Sequence, residues 1–553
     1  MSFLTKGFLY FHTLKYLKAS QIFGRIWFKL KHIKPDTRPA PKLRVQKGNW
    51  QVAVPKPVSM LGVNRFCFLN HIDTINDPKS WQTGNALLWL YNLHYFNDLN
   101  AIDADKRQSW HDEIIRRWIA ENPAGHGVGW EPYPQSLRIV NWVKWHLSGN
   151  ELSADAVKSL AIQARYLTQQ LEWHIGGNHL LANAKALIFA GVFYTGAEAD
   201  EWLSKGMNIL SGQIFEQILD DGGHFERSPM YHAIIFEDLL ELLNLFEMKQ
   251  VVFSNYQEFF GNLRHILEKM YFWLDVMCHP DGEVSFFNDA AFGTAALPTD
   301  LFRYADRLGI GSDRKMKDIT YLEHSGYIRV NKGNAVLLID AAPIGPDFLP
   351  GHAHADTLSF ELSLNRKRVI VNSGTSQYGI SPQRDWERST AAHNSVEVDG
   401  QNSSEIWAGF RVARRAYPNS ISIRKKDDKI IIEASHNGYR WLDSHPVHSR
   451  IWKLDAHSLI VMDNVKGRFI KAKARFYFHP EVLVNMDGVS GTLKGQSVEA
   501  SFLTRSIKAD LVPSSWFPRF GVMQEAQCLI LDGAYDAESR DSGSDIKFSL
   551  DYS

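Results

Sequence analysis

The chain has 553 residues, and its 61 basic and 61 acidic side chains cancel to a formal net charge of zero at pH 7. This balance argues against a dedicated nucleic-acid-binding protein, because such proteins carry a strong positive field. The cysteines number only 3 and are widely spaced, which excludes a disulfide framework and a thiolate metal site. The length exceeds what one hydrophobic core usually supports, so we expect two or three domains.

The first sixty residues are predicted to form an arm or linker that packs on a helical domain. No apolar stretch leads to a small-residue cleavage site, so a secretory signal is not evident. We expect a cytoplasmic protein, with a periplasmic or secreted location by another route as the alternative. Residues 8–33 mix aromatic side chains with Lys and Arg, and we favour a docked helix over a membrane-surface or partner-binding segment. The proline-rich residues 34–57 indicate an extended arm.

The hydrophobic period changes once along the chain. From about residue 85 to 275, apolar residues recur at helical spacing between short polar loops. After about residue 320 they alternate with a period of two, which is typical of strands. A helical half followed by an antiparallel β half predicts two domains with separate cores. We therefore assign residues 1–60 to the arm, 61–310 to the helical domain and 311–553 to the β domain.

Two short segments of the helical half carry chemistry. Asn178 and His179 follow two glycines, which places Asn178 at a predicted helix N-cap. A helix N-terminus with an amide and an imidazole would bind a carboxylate, although an ordinary cap with a surface histidine has the same pattern. Further along, Glu226, Arg227 and Tyr231 precede or begin a helix, where nearby positive charge could lower the pKa of a tyrosine. A capped helix start with a half-buried tyrosine is the alternative.

The densest cluster lies at the start of a predicted strand. In an extended backbone His352, His354 and Asp356 would project to one face. Asn372 and His393 follow on later strands that can return to the same place. Converging imidazoles and a carboxylate are costly unless they bind a metal, an anion or a reacting group. Solvated surface histidines are the alternative interpretation.

Several arginines supply the local positive charge that the neutral chain lacks overall. Gln135 and Arg138 lie in an aromatic segment that reads either as helix packing or as one wall of a sugar-binding cleft. Arg384 and Arg388 lie between Asn372 and the histidine at position 393. For each arginine, solvation at the surface is the alternative to a ligand role.

Together these motifs resemble the heparinase II/III-like polysaccharide lyases, which include bacterial glycosaminoglycan and oligoalginate lyases. The resemblance rests on four segments in order: Asn-His before a helix, Glu-Arg-Ser-Pro-x-Tyr-His, His-x-His-x-Asp-x-Leu-Ser-Phe, and Arg-Ser-Thr-x-Ala-His-Asn-Ser-Val. It covers most of the chain. It implies an N-terminal α/α-toroid followed by an antiparallel β-sandwich, with the cleft between them. It also implies β-elimination at a uronic acid, which leaves a 4,5-unsaturated product.

The resemblance also implies roles for individual residues. Asn178 and His179 would hold the uronate carboxylate, Tyr231 would act as base, acid or both, and His352 would share the proton transfer. Tyr378 matches a second cleft tyrosine. The remaining substrate-contact candidates are Gln135, Arg138, Glu226, Arg227, Arg384 and Arg388.

A divalent metal site is implied as well, formed by His354, Asn372 and His393. The family's usual residue at the middle position is aspartate, and an uncharged amide would weaken zinc binding or shift it towards Mn or Ca. We expect the ion to be structural.

Three other functions stay open at this level. One is a lyase for alginate or another bacterial uronan instead of a glycosaminoglycan such as hyaluronan, chondroitin sulfate or heparan sulfate. Another is a carbohydrate-binding protein of exopolysaccharide biosynthesis that keeps the fold without turnover. The last is a metal-dependent hydrolase, which would give saturated products.

Overall fold

A computed structural model describes residues 3–45, 48–534 and 543–552. Its helices precede nearly all of its strands, so the predicted order of an α/α-toroid and an antiparallel β-sandwich is confirmed. The helices are α1 (Phe3–Leu14), α2 (Ala19–Leu30), α3 (Leu87–Tyr95), α4 (Gln108–Glu121), α5 (Pro132–Leu147), α6 (Ala154–Thr168), α7 (Gly177–Phe193), α8 (Ala197–Gln217), α9 (Pro229–Met248), α10 (Gln257–Met277), α11 (Pro298–Arg307) and α12 (Pro382–Glu387).

The toroid packs around α7, whose side chains are buried on nearly every face. Ala, Leu, Ile and Phe fill this helix, which explains why it can be surrounded by its neighbours. Two of the flanking helices begin at serine N-caps. Ser153 caps α6 by accepting the amide N–H of Ala156, and Ser228 caps α9 by accepting that of Tyr231. These caps fix where each helix enters the toroid.

The strands begin with a small sheet inside the helical region and then continue as the sandwich. They are β1 (Met60–Gly62), β2 (Arg65–Phe68), β3 (His71–Thr74), β4 (Ile319–Leu322), β5 (Tyr327–Lys332), β6 (Ala335–Asp340), β7 (Phe360–Leu364), β8 (Lys367–Ile370), β9 (Val396–Val398), β10 (Ile406–Trp407), β11 (Arg411–Val412), β12 (Pro418–Lys426), β13 (Lys429–His436), β14 (Val447–Leu454), β15 (Ser458–Lys466), β16 (Ala472–Phe478), β17 (Leu483–Asp487), β18 (Ser490–Gly495), β19 (Val498–Arg505), β20 (Lys508–Arg519), β21 (Val522–Gly533) and β22 (Gly543–Tyr552).

Two antiparallel sheets form the sandwich. The first has the order β12-β13-β14-β15-β22-β19-β18-β17, and the second has the order β20-β21-β16-β8-β7-β6-β5-β4, with β9 pairing with β16. Strand β15 alternates between half-buried and buried residues up to its exposed last residue, as expected for a strand with one face on the core. The inner faces of both sheets share one apolar core that includes Phe360, Trp452, Phe476 and Phe548.

Two smaller apolar clusters join the domains. In one, Trp273 and Met277 of α10 pack against Leu322 and Tyr327 of the second sheet. In the other, Tyr231 packs with Phe286 and the sandwich residues Val371, Trp516 and Phe520. Because these contacts are apolar and buried, the two domains hold a fixed relation at the cleft that they form.

The N-terminal arm contains structure that the sequence did not predict in full. Helices α1 and α2 contact both domains, since the Thr13 hydroxyl donates to the carbonyl of Val412 and the Phe28 ring lies 4.3 Å from that of His174. The predicted docking to the helical domain is therefore only half of the arrangement. Among the residues that the structure describes, no helix is both long and apolar enough to cross a bilayer.

Candidate active site

A deep cavity of about 1980 Å³ lies between the toroid and the sandwich. The predicted catalytic residues Asn178, His179, Tyr231 and His352 all line it. The arm, the small sheet, α3, α5 and loops of the β domain complete the wall. The structure therefore brings together, in one groove, four side chains from three separate sequence segments.

The toroid side of the site is the first turn of α7. The helix begins two residues earlier than predicted, because Gly176 is the N-cap and Asn178 lies inside the first turn. His179 donates from Nδ1 to Glu172 Oε1 at 2.9 Å, and the Tyr133 ring lies 4.4 Å from the imidazole. These contacts fix the ring and leave Nε2 for the cavity.

The Glu172 carboxylate is itself held in place. Asn183, one turn further along α7, accepts the Glu172 backbone N–H at 2.9 Å and donates to its Oε2 at 3.1 Å. Burial alone would lower the pKa of His179, but the nearby Glu172 carboxylate outweighs it and raises that pKa. The imidazole is thereby prepared to carry positive charge towards a bound anion.

Three rings meet at the centre of the cleft. The His352 ring stacks on Tyr231 with centroids 3.8 Å apart, and the Tyr231 and Tyr378 hydroxyls are 3.0 Å apart. Burial and the neighbouring Tyr378 hold the pKa of Tyr231 well above its usual value. The sequence interpretation that cations would lower this pKa is therefore wrong, because the groups beside the phenol are a second phenol and the Asp289 carboxylate.

Asp289 organises the β-domain side of the site, and sequence reasoning missed it. Its Oδ2 accepts from His352 Nδ1 at 2.9 Å, its Oδ1 accepts from His354 Nε2 at 2.8 Å, and both oxygens accept from the Arg384 guanidinium. Burial would raise the pKa of Asp289, but Arg384 and the two histidines hold it well below its usual range. An ionised carboxylate thus orients two imidazoles.

The predicted convergence of the His-Ala-His-Ala-Asp segment is only partly correct. His352 and His354 do meet at Asp289, but residues 352–356 form a loop and not an extended strand. Asp356 turns away and accepts the backbone N–H of Asn288 at 2.8 Å. The carboxylate that the two histidines share therefore comes from the segment after α10.

Glu226 is a buried carboxyl on the cavity wall with an oxygen, Oε1, that has no hydrogen-bond partner among the described residues. Its Oε2 lies 3.8 Å from His352 Nε2. Burial raises the pKa of Glu226, although His352 and His179 oppose this. The carboxyl thus lies on the cavity wall near both imidazoles, and its contact with a substrate stays a prediction.

Five other predicted substrate contacts lie in the interior and not on the cavity wall. Gln135 donates to the carbonyl of Gln163 at 2.5 Å, and Arg138 bonds the side chain of that glutamine at 3.0 Å while stacking on Trp118. Arg227 donates to the carbonyl of Ser325 at 2.9 Å. These groups already have protein partners, so the placement corrects their predicted contact with substrate.

Arg384 and Arg388 follow the same pattern in the β domain. Arg384 is buried against Asp289, and Arg388 donates to the carbonyl of Ala353 at 3.0 Å. Burial, with Arg384 nearby, lowers the pKa of Arg388 to about 9. Both arginines therefore hold the loops that carry His352 and His354, and they do not reach the cavity.

Other cations line the cavity in their place. Arg25 of α2, Arg411 of β11 and Arg519 of β20 are on its wall, and none has a carboxylate within ion-pair distance among the described residues. Deeper in the toroid, Lys144 and Lys185 share the carboxylate of Glu241. The cavity wall thus carries three arginines without a carboxylate partner in the described ranges, while Lys144 and Lys185 are neutralised by Glu241.

The predicted metal ligands behave differently from one another. His354 Nε2 donates to Asp289, and His393 Nδ1 donates to the carbonyl of Ser389. The other two ring nitrogens, His354 Nδ1 and His393 Nε2, are 3.1 Å apart. In the neutral rings these two nitrogens carry lone pairs that face each other. Burial lowers the pKa of His354 to about 4, which keeps that ring neutral. A cation between the two rings would satisfy both lone pairs, and metal-bound histidines commonly donate their other ring N–H to a carboxylate or carbonyl in this way.

Asn372 fits such an ion less well. Its Oδ1 accepts from the Asn394 backbone N–H at 3.1 Å, and its Nδ2 donates to the carbonyl of Phe286 at 2.9 Å. In the described part of the chain, no three His, Cys, Asp or Glu side chains cluster as metal ligands. The histidine pair suits a metal, whereas the amide is already engaged.

Two family models match the two halves of the chain. The model for the heparinase II/III N-terminus matches residues 102–308, and the model for the heparinase II/III-like C-terminal region matches residues 314–548. The chain belongs to the heparinase II/III-like family. The solved structure of a heparinase III superposes with a TM-score of 0.70 at 18% identity, covering 87% of this chain and 79% of that one, which shows a shared fold.

Two curated relatives show how far the likeness extends. The heparin-sulfate lyase of Bacteroides thetaiotaomicron is 25% identical over 53% of this chain and 48% of its own length. The FtsZ-localized protein C of Caulobacter vibrioides is 23% identical over 72% of this chain and 69% of its own length. This chain thus spans about half the length of the heparin-sulfate lyase, and the relative with the longer match is named for its localisation and not for a reaction.

Proposed function

We propose that this heparinase II/III-like protein is a polysaccharide lyase that cleaves a uronic-acid-containing glycosaminoglycan by β-elimination. The observation that carries the proposal is the shared groove, in which an amide, two imidazoles and a phenol from both domains face one space. Heparin-sulfate lyases among the relatives support the substrate class.

The first requirement of the reaction is to neutralise the uronate carboxylate. The C5 proton is weakly acidic while the neighbouring carboxylate is negative, so donors must stabilise the charge that develops as the proton leaves. Asn178 and His179 offer an amide and an imidazole at the start of α7, where the helix dipole also favours an anion. The raised pKa of His179 helps it to supply the positive charge.

The second requirement is a pair of groups for proton transfer. His352 directs Nδ1–H to Asp289, which leaves the Nε2 lone pair in the cavity to accept the C5 proton. Tyr231 keeps its proton in the free protein, because its pKa is raised, and can donate it to the departing glycosidic oxygen. With the rings stacked at 3.8 Å, both groups reach the same sugar. We therefore assign His352 as base and Tyr231 as acid.

The decisive experiment is turnover on defined polymers. Hyaluronan, chondroitin sulfate, heparan sulfate and alginate are incubated with the protein, and the unsaturated uronate is followed by its ultraviolet absorbance. Tyr231→Phe should abolish the absorbance change while the circular dichroism spectrum stays that of the parent. Near-full turnover by this variant would contradict the acid role. Cleavage without the chromophore would favour a hydrolase.

Binding without any cleavage would instead favour the carbohydrate-binding alternative. The longer match to a relative named for localisation makes this the second candidate to test. Isothermal titration of the parent protein with each polymer distinguishes the two, because a lyase loses its substrate during the titration and a binding protein does not. Turnover on alginate alone would move the substrate to the bacterial uronans.

We also propose that His354 and His393 hold a divalent ion, which is zinc or a more weakly bound Mn or Ca. The ion would satisfy the two facing lone pairs and stabilise the loop that carries His352, and no proton-transfer step depends on it. Asn372 would have to release one backbone contact to join them. Elemental analysis of purified protein, with His393→Ala as the reference, tests this site. Equal metal content in both proteins would remove it.

A further inference from the structure

The arm presents a large apolar face to solvent. We call residues 3–34, which contain α1 and α2, the N-terminal hairpin. On α2, Phe23 and Trp27 are 71% and 69% exposed, and Ile22, Ile26 and Leu30 lie beside them at helical spacing. These five side chains form one stripe along the helix, and exposed aromatic and aliphatic side chains in such a stripe mark an interaction surface.

Helix α1 also exposes apolar side chains. Phe8 and Phe11, one turn apart, are 60% and 63% exposed. Apolar side chains that were meant for the protein core would turn inwards, as Leu9 does in the same helix. Two consecutive helices that both expose apolar side chains to solvent indicate a binding partner outside the chain.

The opposite face of the hairpin is firmly attached. Gln21 is buried and donates to the carbonyl of Phe348 at 3.1 Å, and the Trp407 indole donates to the Thr13 hydroxyl at 3.1 Å. Lys31 donates to the carbonyl of Gln169 at 2.9 Å. The hairpin is therefore a fixed part of the molecule, so its outer face has a defined orientation.

Charge identifies the kind of partner. Residues 1–35 contain Lys and Arg at seven positions and no Asp or Glu, although the whole chain is neutral. Among these cations, Lys6, Lys29 and Lys34 have no ion-pair partner in the part of the chain that the structure describes. A helix with an apolar face flanked by unpaired cations is the pattern of segments that lie in the interface of an anionic membrane.

We propose that the N-terminal hairpin binds an anionic lipid surface, with the apolar stripe in the acyl boundary and the cations at the headgroups. A second copy of the chain fits this face less well, because an isologous interface would bring two sets of unpaired cations together. The exposed Trp27 side chain combines an apolar ring system with one polar N–H group, which is the chemistry that places tryptophans at membrane–water interfaces.

The position of the hairpin gives this binding a consequence for the cleft. Tyr10, Leu14 and Leu17 of the hairpin also line the cavity. A protein bound through this face would hold the cleft close to the membrane surface. The inference is independent of the proposed lyase activity, since it rests on the hairpin alone.

The test is flotation of the full chain with vesicles of phosphatidylcholine that contain about one quarter phosphatidylglycerol, compared with pure phosphatidylcholine. The parent protein should float with the anionic vesicles and bind less as salt rises, because salt screens the headgroup attraction. Phe23→Glu with Trp27→Glu should lower the bound fraction about tenfold or more, since both side chains would carry charge into the interface.

A matched control introduces two glutamates at exposed apolar positions outside the N-terminal hairpin. Val251 and Ile470 are 90% and 86% exposed outside the hairpin, so their double glutamate variant should bind as the parent does. Lys29→Glu with Lys34→Glu tests the charge separately and should weaken binding to anionic vesicles. Melting temperatures establish that each variant is folded.

Four outcomes would overturn the inference. They are failure of the parent to float with anionic vesicles, equal binding to neutral vesicles, full binding by the Phe23 and Trp27 variant, and a parent dimer in sedimentation that this variant dissociates. The last result would make the face an interface between copies of the chain.

Discussion

At the scale of single residues, the charge of His179 depends on Glu172. The carboxylate raises the pKa of the imidazole against the effect of burial, with a smaller contribution from Glu226, while Tyr133 and His174 are the other titratable groups around the ring. A raised pKa keeps the imidazole protonated above its ordinary titration range. Activity that needs the imidazolium is then lost only as pH rises through this higher value.

Glu172→Gln should therefore move the alkaline limb of the kcat/KM profile to lower pH. The amide keeps the shape of the carboxylate and can still accept from His179, but it removes the charge that raises the pKa. The pH profile of both proteins is the measurement. Glu151→Gln, an exposed carboxylate outside the cavity, is the control, and an unmoved limb in Glu172→Gln would contradict the prediction.

Arg411 provides a second test at this scale. It lies on the cavity wall, its guanidinium lies 4.8 Å from the Trp407 ring, and it has no carboxylate partner among the described residues. Its charge is thus free for an anionic substrate. Arg411→Gln should raise KM roughly fivefold and leave kcat nearly unchanged, as expected when one exposed charge contact worth about 1 kcal/mol is lost.

The matched control is Arg424→Gln, which removes an exposed arginine that pairs with Glu433 on β13, away from the cavity. This variant should keep the KM of the parent. Steady-state kinetics on the preferred polymer at low and high salt measure both. A fall in kcat with unchanged KM for Arg411→Gln would mean that this arginine acts in a different step.

Residue types alone identified some of the site and failed on the rest. Asn178, His179, Tyr231 and His352 belong to recognisable motifs, and the structure brings them together. Asp289 stands in Phe-Phe-Asn-Asp-Ala, a string with no motif, and only the fold carries it to the histidines. The arginines failed for the opposite reason, because a guanidinium in a rich motif can serve equally well as an internal hydrogen-bond donor.

At the scale of elements, the turn before α7 controls the position of the site. Gly176 and Gly177 both have positive φ, at 77° and 55°. A Cβ on Gly177 would come within 2.6 Å of the Leu349 side chain and 3.1 Å of Glu226 Oε1, whereas a Cβ on Gly176 would meet nothing within 4 Å. The two glycines thus share backbone strain on substitution but differ in what the new atom would touch.

Gly177→Ala should lower kcat at least about tenfold, because Leu349 and Glu226 must move within the cleft. Gly176→Ala is the matched control, and it should cost about 1–3 kcal/mol in unfolding free energy with little change in kcat. Denaturant unfolding and initial rates measure both quantities. Equal losses of kcat in the two variants would show that strain alone is responsible.

Periodicity predicted most elements of both halves and missed those that lack a repeat. The segment 179–194 was predicted as helical and α7 spans Gly177–Phe193, while 336–339 was predicted as a strand and β6 spans Ala335–Asp340. The small sheet β1–β3 was not predicted, because its strands have three or four residues and give too short a pattern. The loop at 352–356 looked extended because alternating alanines imitate a strand.

At the scale of the whole molecule, the order of helices and strands was enough to predict the architecture, but the connection between the domains was not visible. That connection includes Asp289, which leaves the end of the helical domain and bonds His352, His354 and Arg384 of the β domain. Pairing across such a distance in sequence depends on tertiary packing. The candidate active site and the domain junction therefore share the same residues.

Asp289→Asn should damage both stability and activity. It leaves the buried Arg384 without its counter-charge, which costs about 3–5 kcal/mol, and it weakens the acceptor that orients His352. Adding Arg384→Met removes the stranded charge, so the double variant should recover part of the unfolding free energy but not the lost kcat. Asp281→Asn, which breaks a partly exposed pair with Arg368, is the control and should leave kcat unchanged. Denaturant unfolding and ultraviolet turnover measure the two effects separately. If the double variant regained activity together with stability, Asp289 would serve only to hold the domains together, and the orientation of His352 would have to come from another group.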